Sequence, residues 1–180
     1  MKYLVMCEGT NELEIINILL ENDLLVFGED DLLGLQAYHA RQISASGIIK
    51  TALNIYPGND IEILRIGDSQ NEKLKIPSEY KEKLADAIIK KFCTKPELEI
   101  LLIISENMQN EYEKVKSNIK PKIFAKQNIL FNKKRYDNSS KFYRDYYGSK
   151  PDLLVQTLKN YKKTRGSHKK DELYLADLLK

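Results

Sequence analysis

Four acidic residues, Glu8, Glu12, Asp68 and Glu99, have the types and placements that can do chemistry in this chain. Lys2-Tyr3-Leu4-Val5-Met6-Cys7 reads as a buried strand that runs straight into Glu8-Gly9-Thr10-Asn11-Glu12, the opening of an amphipathic helix. Glu8 then stands at the carboxyl end of a strand, where open α/β sheets keep their ligand sites, and Glu12 lies one turn into the helix. Residues 61–66 read as another strand, ended by Gly67-Asp68. Carboxylates gathered near a permissive glycine are a natural seat for a hard divalent cation, Mg²⁺ or Mn²⁺. Phosphodiester cleavage needs a polarised phosphate, an activated water and a stabilised leaving oxygen, and one or two such ions supply all three. In that chemistry Glu8 and Asp68 are the catalytic candidates, Glu8 as base or ligand. Glu8, Glu12, Asp68 and Glu99 are the candidate metal ligands.

Each acid also has a plainer role. Glu12 suits a helix start through the helix dipole alone. Asp68 can cap a turn with Ser69 and Asn71. Glu99 adjoins the apolar run Ile100-Leu101-Leu102-Ile103-Ile104, so it needs a metal, a basic partner or a solvent-facing position. Competing chemistries lack their residues. No serine or cysteine has an identifiable base, no cysteine-histidine cluster has zinc spacing, and neither a Walker loop nor a dinucleotide fingerprint occurs.

The elements that must position these acids follow from periodicity and turn residues. Helical spacing of Leu13, Ile16, Leu19 and Leu20 predicts a helix over 10–22. Residues 24–27 read as a short strand and 47–56 as a helix, closed by the turn Pro57-Gly58-Asn59-Asp60. Leu84, Ala87, Ile88 and Phe92 predict an amphipathic helix over 77–92. Thr94-Lys95-Pro96-Glu97 has the form of a capping box, which predicts helix from Leu98 onwards. Residues 152–161 and 171–179 read as two further helices.

The 180 residues suit one domain with a real core, and 42% hydrophobic with 31% charged residues suit a soluble chain. No apolar stretch is long enough to cross a bilayer, and no secretory signal is expected. Cys7 and Cys93 read as buried thiols of a reducing compartment, which points to the cytoplasm. The net charge of +3 conceals a polarity: residues 114–180 hold 18 Lys and Arg against 6 Asp and Glu. Lys133, Lys134 and Arg135, and the group Lys162, Lys163, Arg165, Lys169 and Lys170, are candidate contacts to the phosphates of DNA or RNA. Tyr136, Tyr143, Tyr146 and Tyr147 either stack on bases or belong to the core. His168 reads as a solvated loop histidine. His39 and Arg41 read as surface decoration, with phosphate contact as the alternative.

The strand with Glu8-Gly9-Thr10-Asn11-Glu12, and the later strand ending in Gly67-Asp68, resemble the Toprim domain of topoisomerases, primases, ribosomal-RNA maturases and overcoming-lysogenization-defect nucleases. Glutamate-glycine followed by a second glutamate is most similar to the nuclease branch. Pro96-Glu97-Leu98-Glu99-Ile100-Leu101-Leu102 is similar to a glutamate-bearing helix of small bacterial Toprim-like defence proteins. The resemblance spans roughly residues 3 to 105. It implies an α/β fold: a Rossmann-like sheet of mainly parallel strands with flanking helices over 1–112. The C-terminal part resembles no family, and its composition reads as a basic, tyrosine-rich helical extension over 113–180 packed on the same domain. The resemblance also implies a Mg²⁺-dependent nuclease acting on DNA or RNA, in defence against phage. The family pattern carries two aspartates one residue apart, where Asp68-Ser69-Gln70 supplies one. Either Glu99 or a neighbouring acid completes the site, or the fold is a non-catalytic module that binds nucleic acid or a partner protein encoded nearby. Self-association is open.

Overall fold

The computed structural model describes residues 1–68, 71–164 and 168–180. β1 (Lys2–Cys7) is apolar on both faces, as a strand between two layers must be. Val5 and Cys7 face one core, and Leu4 and Met6 face the other. α1 (Thr10–Glu21) packs Ile15, Ile16, Ile18 and Leu19 into the first core. The chain passes through short 3-10 turns at Glu29–Asp31 and Leu33–Leu35 to β2 (Tyr38–His39). α2 (Gly47–Ile55) then returns it over the opposite face to β3 (Ile61–Gly67), burying Ile49 and Leu53 with Ile61 and Ile63.

β4 (Ile88–Cys93) follows, then α3 (Ile100–Ser105), α4 (Gln109–Glu113) and α5 (Pro121–Asn128). A small hairpin, β5 (Leu130–Phe131) and β6 (Lys134–Arg135), leads to α6 (Ser140–Tyr147), α7 (Pro151–Lys163) and β7 (Glu172–Leu173). Asn132 and Lys133 both take positive φ at the hairpin tip, as its tight turn requires. The main sheet has the order β2-β1-β3-β4-β7 and every pair is parallel. The fold is a Rossmann-like α/β sheet with helices on both faces. No helix among the described residues is long and apolar enough to cross a membrane. Cys7 and Cys93 are buried and form no disulfide.

This topology creates one privileged place. The chain leaves β1 for β2 on one side and then crosses to β3 on the other, so the strand order reverses at β1. A crevice opens at the carboxyl ends of the strands at such a reversal. Register puts Cys7 opposite Ile66, and the Glu8 N–H donates to the Ile66 carbonyl at 2.8 Å. Glu8 and Asp68 therefore leave the sheet side by side.

Several sequence expectations fail for identifiable reasons. Residues 24–27 are not a strand of the sheet. They make an isolated antiparallel bridge, Leu25 to Leu179, because only the C-terminal tail lies beside them. Residues 77–92 are not a helix: Ser78–Tyr80 is a 3-10 turn, and Ile88 onwards is β4, paired with β3 from Glu62↔Ile88 to Gly67↔Cys93. The apparent helical spacing joined residues of different layers, since Leu84 enters the α2-side core and Phe92 the other. The helix expected from Leu98 begins at Ile100, and the Glu97 carboxylate accepts the Lys122 backbone N–H at 3.0 Å. Residues 171–179 form β7 and the 3-10 turn Leu175–Leu178.

The four tyrosines are core residues. Tyr136, Tyr143, Tyr146 and Tyr147 are buried and ring-packed on one another and on Phe142, so none is available to stack on a base. α6 is also pinned to α1 by ion pairs from Arg144 to Glu14 and Glu21. Ser105 Oγ stands 2.8 Å from both Tyr147 Oη and Thr157 Oγ1, joining α3, α6 and α7.

Ile66 is fully buried on β3, directly below Asp68. Ile66→Ala should cost about 2–5 kcal/mol by transfer and cavity terms, lowering the thermal midpoint by about 10 °C. Urea and thermal unfolding of the purified variant read this directly, and a loss below about 1 kcal/mol would contradict a close-packed central strand.

Candidate functional site

A cavity of about 230 Å³ opens at the strand reversal, and Glu8, Glu12, Asp68 and Glu99 all line it. Gly9, Thr10, Asn11, Arg41, Leu98, Lys122 and Asn138 complete the wall. The four acids come from three segments: the β1–α1 junction, the end of β3, and the entry to α3. The sheet register brings the first two together, and the entry to α3 brings in Glu99.

The helix start shows why glycine stands at position 9. Gly9 is the N-cap of α1 with an ordinary extended φ of −130° and no side-chain cap. A Cβ there would collide with Glu12 Oε2, so the glycine makes room for a carboxylate that folds back over its own helix terminus. Glu12 is 7% exposed. Burial and the charges of Glu8 and Glu99 push its carboxyl above the usual range, against the opposing pull of its own backbone N–H and Lys122.

Glu99 is 3% exposed and accepts a 2.7 Å hydrogen bond from Tyr136 Oη. Lys122 Nζ lies 3.9 Å from Glu99 Oε1. Glu99 is therefore held by a phenol and a rim lysine, in answer to the cost of burying it. Glu8 is paired at Oε1 with Arg41 Nη2 at 3.0 Å, while its Oε2 is buried without a hydrogen-bond partner among the described residues. Asp68 Oδ1 and Asn11 Oδ1 are orphaned in the same way. Burial, followed by the charges of Glu12, Glu99, Glu8 and Glu97, pushes the Asp68 carboxyl up to about 8.

Two orphaned carboxylate oxygens beside two further acids make a hard-oxygen donor set that fits a divalent cation. As the side chains stand, no group of three or more His, Cys, Asp or Glu residues among the described residues is arranged to hold a metal ion. The chain's own cations occupy part of that role, Arg41 against Glu8 and Lys122 against Glu99.

The basic candidates divide by what they touch. Lys133, Lys134 and Arg135 are exposed on the β5–β6 hairpin. Arg135 donates to the Lys126 and Gln127 carbonyls at the end of α5, and Lys134 pairs with Asp137 at 3.6 Å. Lys162 pairs with Asp177. Lys163 and Lys170 are exposed. Lys169 Nζ donates to Asn71 Oδ1 at 2.9 Å, three residues past Asp68, and does not line the cavity. Arg165 lies outside the described residues, as do Ser69 and Gln70. His168 is half-buried rather than solvated: it stacks on Tyr174 with ring centroids 3.9 Å apart and hydrogen-bonds Tyr161 Oη at 2.9 Å.

Arg41, which the sequence reads as surface decoration, lines the cavity against Glu8, and Asn11, Lys122 and Asn138 join the wall with it. Asn11 sits inside the Glu8–Glu12 stretch and was legible there. Lys122 and Asn138 come from distant segments, and only the packing of α5 and the chain before α6 brings them in. In comparisons with known proteins, no family model matches the chain, and no curated protein or solved structure matches it.

The Asp68 carboxyl has a definite linkage to stability. Its folded value of about 8 lies above the unfolded value of about 3.9. Between the two the folded state holds a proton that the unfolded state has released, so stability falls as pH rises through that window. In metal-free buffer, Asp68→Asn should match the wild-type thermal midpoint near pH 4 and exceed it by roughly 10 °C or more at pH 8. Equal midpoints at pH 8 would show that Asp68 is not strained by its neighbours.

Proposed function

We propose that this chain is a Toprim-like, divalent-cation-dependent nuclease that hydrolyses phosphodiester bonds in DNA or RNA. The observation that carries the reading is the convergence of Glu8, Glu12, Asp68 and Glu99 on one cavity at the carboxyl ends of parallel strands, with Glu8 Oε2 and Asp68 Oδ1 orphaned in it. Glu8 and Asp68 would hold Mg²⁺ or Mn²⁺, with Glu12 and Glu99 completing the ligand set. Bound there, the ion would supply polarisation of the scissile phosphate and stabilisation of the leaving oxygen.

The chain's own groups do the rest. Glu8 Oε2 and Asp68 Oδ1 have already lost water and have no hydrogen bond to surrender on coordination. Asp68 holds a proton at neutral pH and releases it when a cation takes the proton's place. The Tyr136 hydroxyl fixes Glu99. Lys122, half in solvent at the cavity wall, offers a positive charge to an incoming phosphate. Lys133, Lys163, Lys169 and Lys170 extend that attraction along the exposed surface. A setting in phage defence rests on the resemblance of the Glu8–Glu12 and Pro96–Leu102 stretches alone.

Two observations favour the non-catalytic alternative, a module that binds nucleic acid or a partner protein. Glu8 is part-neutralised by Arg41, and position 70 is glutamine where the family pattern has its second aspartate. Activity decides between the two. With Mg²⁺ or Mn²⁺ the purified protein should nick plasmid or degrade RNA. Glu8→Gln should lower the rate at least about 100-fold with an unchanged circular-dichroism spectrum, the scale of losing a principal electrostatic group. Cleavage that survives Glu8→Gln, or cleavage undiminished by a chelator, would remove the site from the chemistry.

Binding is a separate measurement. If the lysines contact phosphates, log affinity for a short oligonucleotide should fall linearly with log salt, by about 0.7–0.9 per phosphate contact. A flat salt dependence would exclude nucleic acid as the ligand.

A further inference from the structure

Arg41 is the cavity residue that the proposed chemistry leaves unexplained. Its guanidinium pairs with Glu8 at 3.0 Å while the side chain is 64% exposed. The backbone beneath it is fixed. The buried Arg65 on β3 donates to the Arg41 carbonyl, at 3.5 Å, and to the Glu72 carbonyl at 2.6 Å. Gln42, next in the chain, clasps the Lys73 carbonyl at 3.1 Å and the Lys75 N–H at 2.9 Å. A solvated, rotatable arm thus stands on a rigid base, with its charge laid on a carboxylate that has one orphaned oxygen.

A divalent cation and Arg41 compete for the same Glu8 carboxylate, because each neutralises it and the two repel each other. Arg41 can leave Glu8 without disturbing the fold, since its exposed stem gives up little packing. Having left, it still lines the cavity, and its forked donors match a phosphate as well as they match a carboxylate. Resting on the reading of the cavity as a cation site, we infer that Arg41 is an internal counter-ion for Glu8 that a divalent cation displaces, and that the displaced guanidinium then clamps the substrate's phosphate.

The two halves predict opposite effects of one substitution. Arg41→Gln should tighten Mn²⁺ binding about three- to tenfold, measured by electron paramagnetic resonance of free Mn²⁺, because an attractive competitor is gone. The same variant should bind a short single-stranded DNA oligonucleotide more weakly in Ca²⁺, with a salt slope smaller by about one contact. Arg41→Lys keeps the charge and should hold Mn²⁺ affinity near wild type. Thermal unfolding of both variants checks that the loop on Arg65 is intact.

Mn²⁺ affinity unchanged or weakened in Arg41→Gln overturns the counter-ion role. Tighter Mn²⁺ binding with unchanged oligonucleotide affinity and slope overturns the phosphate clamp. Glu8→Gln separates these failures from failure of the site itself. If wild type binds Mn²⁺ and Glu8→Gln does not, the cavity reading stands and only the role of Arg41 is at issue. If wild type binds no Mn²⁺, the cation reading falls and Arg41 with it.

Discussion

The structure depends on repulsion between carboxylates that the fold holds together. Glu8, Glu12, Asp68 and Glu99 share one small cavity, and two of them are nearly fully buried. Like charges at such separations cannot all be ionised in a poorly solvated place unless positive charge is near. Each partial remedy is visible in the molecule. Arg41 takes one oxygen of Glu8, Lys122 approaches Glu99, the α1 terminus receives Glu12, and burial among the other acids pushes the Asp68 carboxyl up towards its neutral form. These remedies differ in kind, and together they leave two carboxylate oxygens without a hydrogen-bond donor among the described residues. A structure that only needed stability would replace such a cluster with apolar side chains, since buried ionic groups seldom repay their desolvation.

The surrounding architecture reads as the means of enforcing that proximity. A parallel sheet buried on both faces fixes β1 against β3 over six register pairs. Both strands bury apolar residues on both faces, so the position of Glu8 relative to Asp68 is held by the fit of individual side chains in the two cores, Val5, Cys7, Leu64 and Ile66 in one and Leu4, Met6 and Ile63 in the other, and not by an alternation of apolar and polar residues. The third contributor, Glu99, depends on longer-range packing. It is held where α3 enters the core by Tyr136, which itself packs edge-on to Phe142 and Tyr143. The tyrosine-rich segment therefore acts on the cavity from beneath, through Tyr136, and not by offering rings to a ligand.

What could be read from the sequence divides along the range of the interactions involved. The β1–α1 start, α2, β3 and α7 were legible because local periodicity and adjacent turn residues decide them. β4 is hidden in the sequence because Leu84, Ala87, Ile88 and Phe92 mimic a helical face. Their true order is set by the empty edge of β3, which no local pattern records. Residues 24–27 have the composition of a strand and become a bridge to the tail, since strand formation requires a neighbour as well as propensity. The acids of the site were legible one by one. Their grouping followed from strand ends for Glu8 and Asp68, whereas Lys122 and Asn138 carried no signal at all.

The charge asymmetry of the chain changes meaning once it is folded. Read linearly, an acidic front and a basic back suggest a metal centre beside a phosphate-binding face. In the fold much of the basic half is spent inside the molecule. Arg144 binds α1 through Glu14 and Glu21, Lys162 binds Asp177, and Arg135 binds the carbonyls that end α5. Of these, Arg144 docks the back half on the front, whereas Lys162 and Arg135 are satisfied within the back half itself, so docking accounts for only part of the polarity. The residue that this docking leaves most suggestively placed is Lys169, tied to Asn71 just beyond Asp68. The positive charge that lines the cavity itself is that of Arg41 and Lys122. Attraction there needs few free lysines, because a cleft with low-dielectric walls focuses the field of those it has.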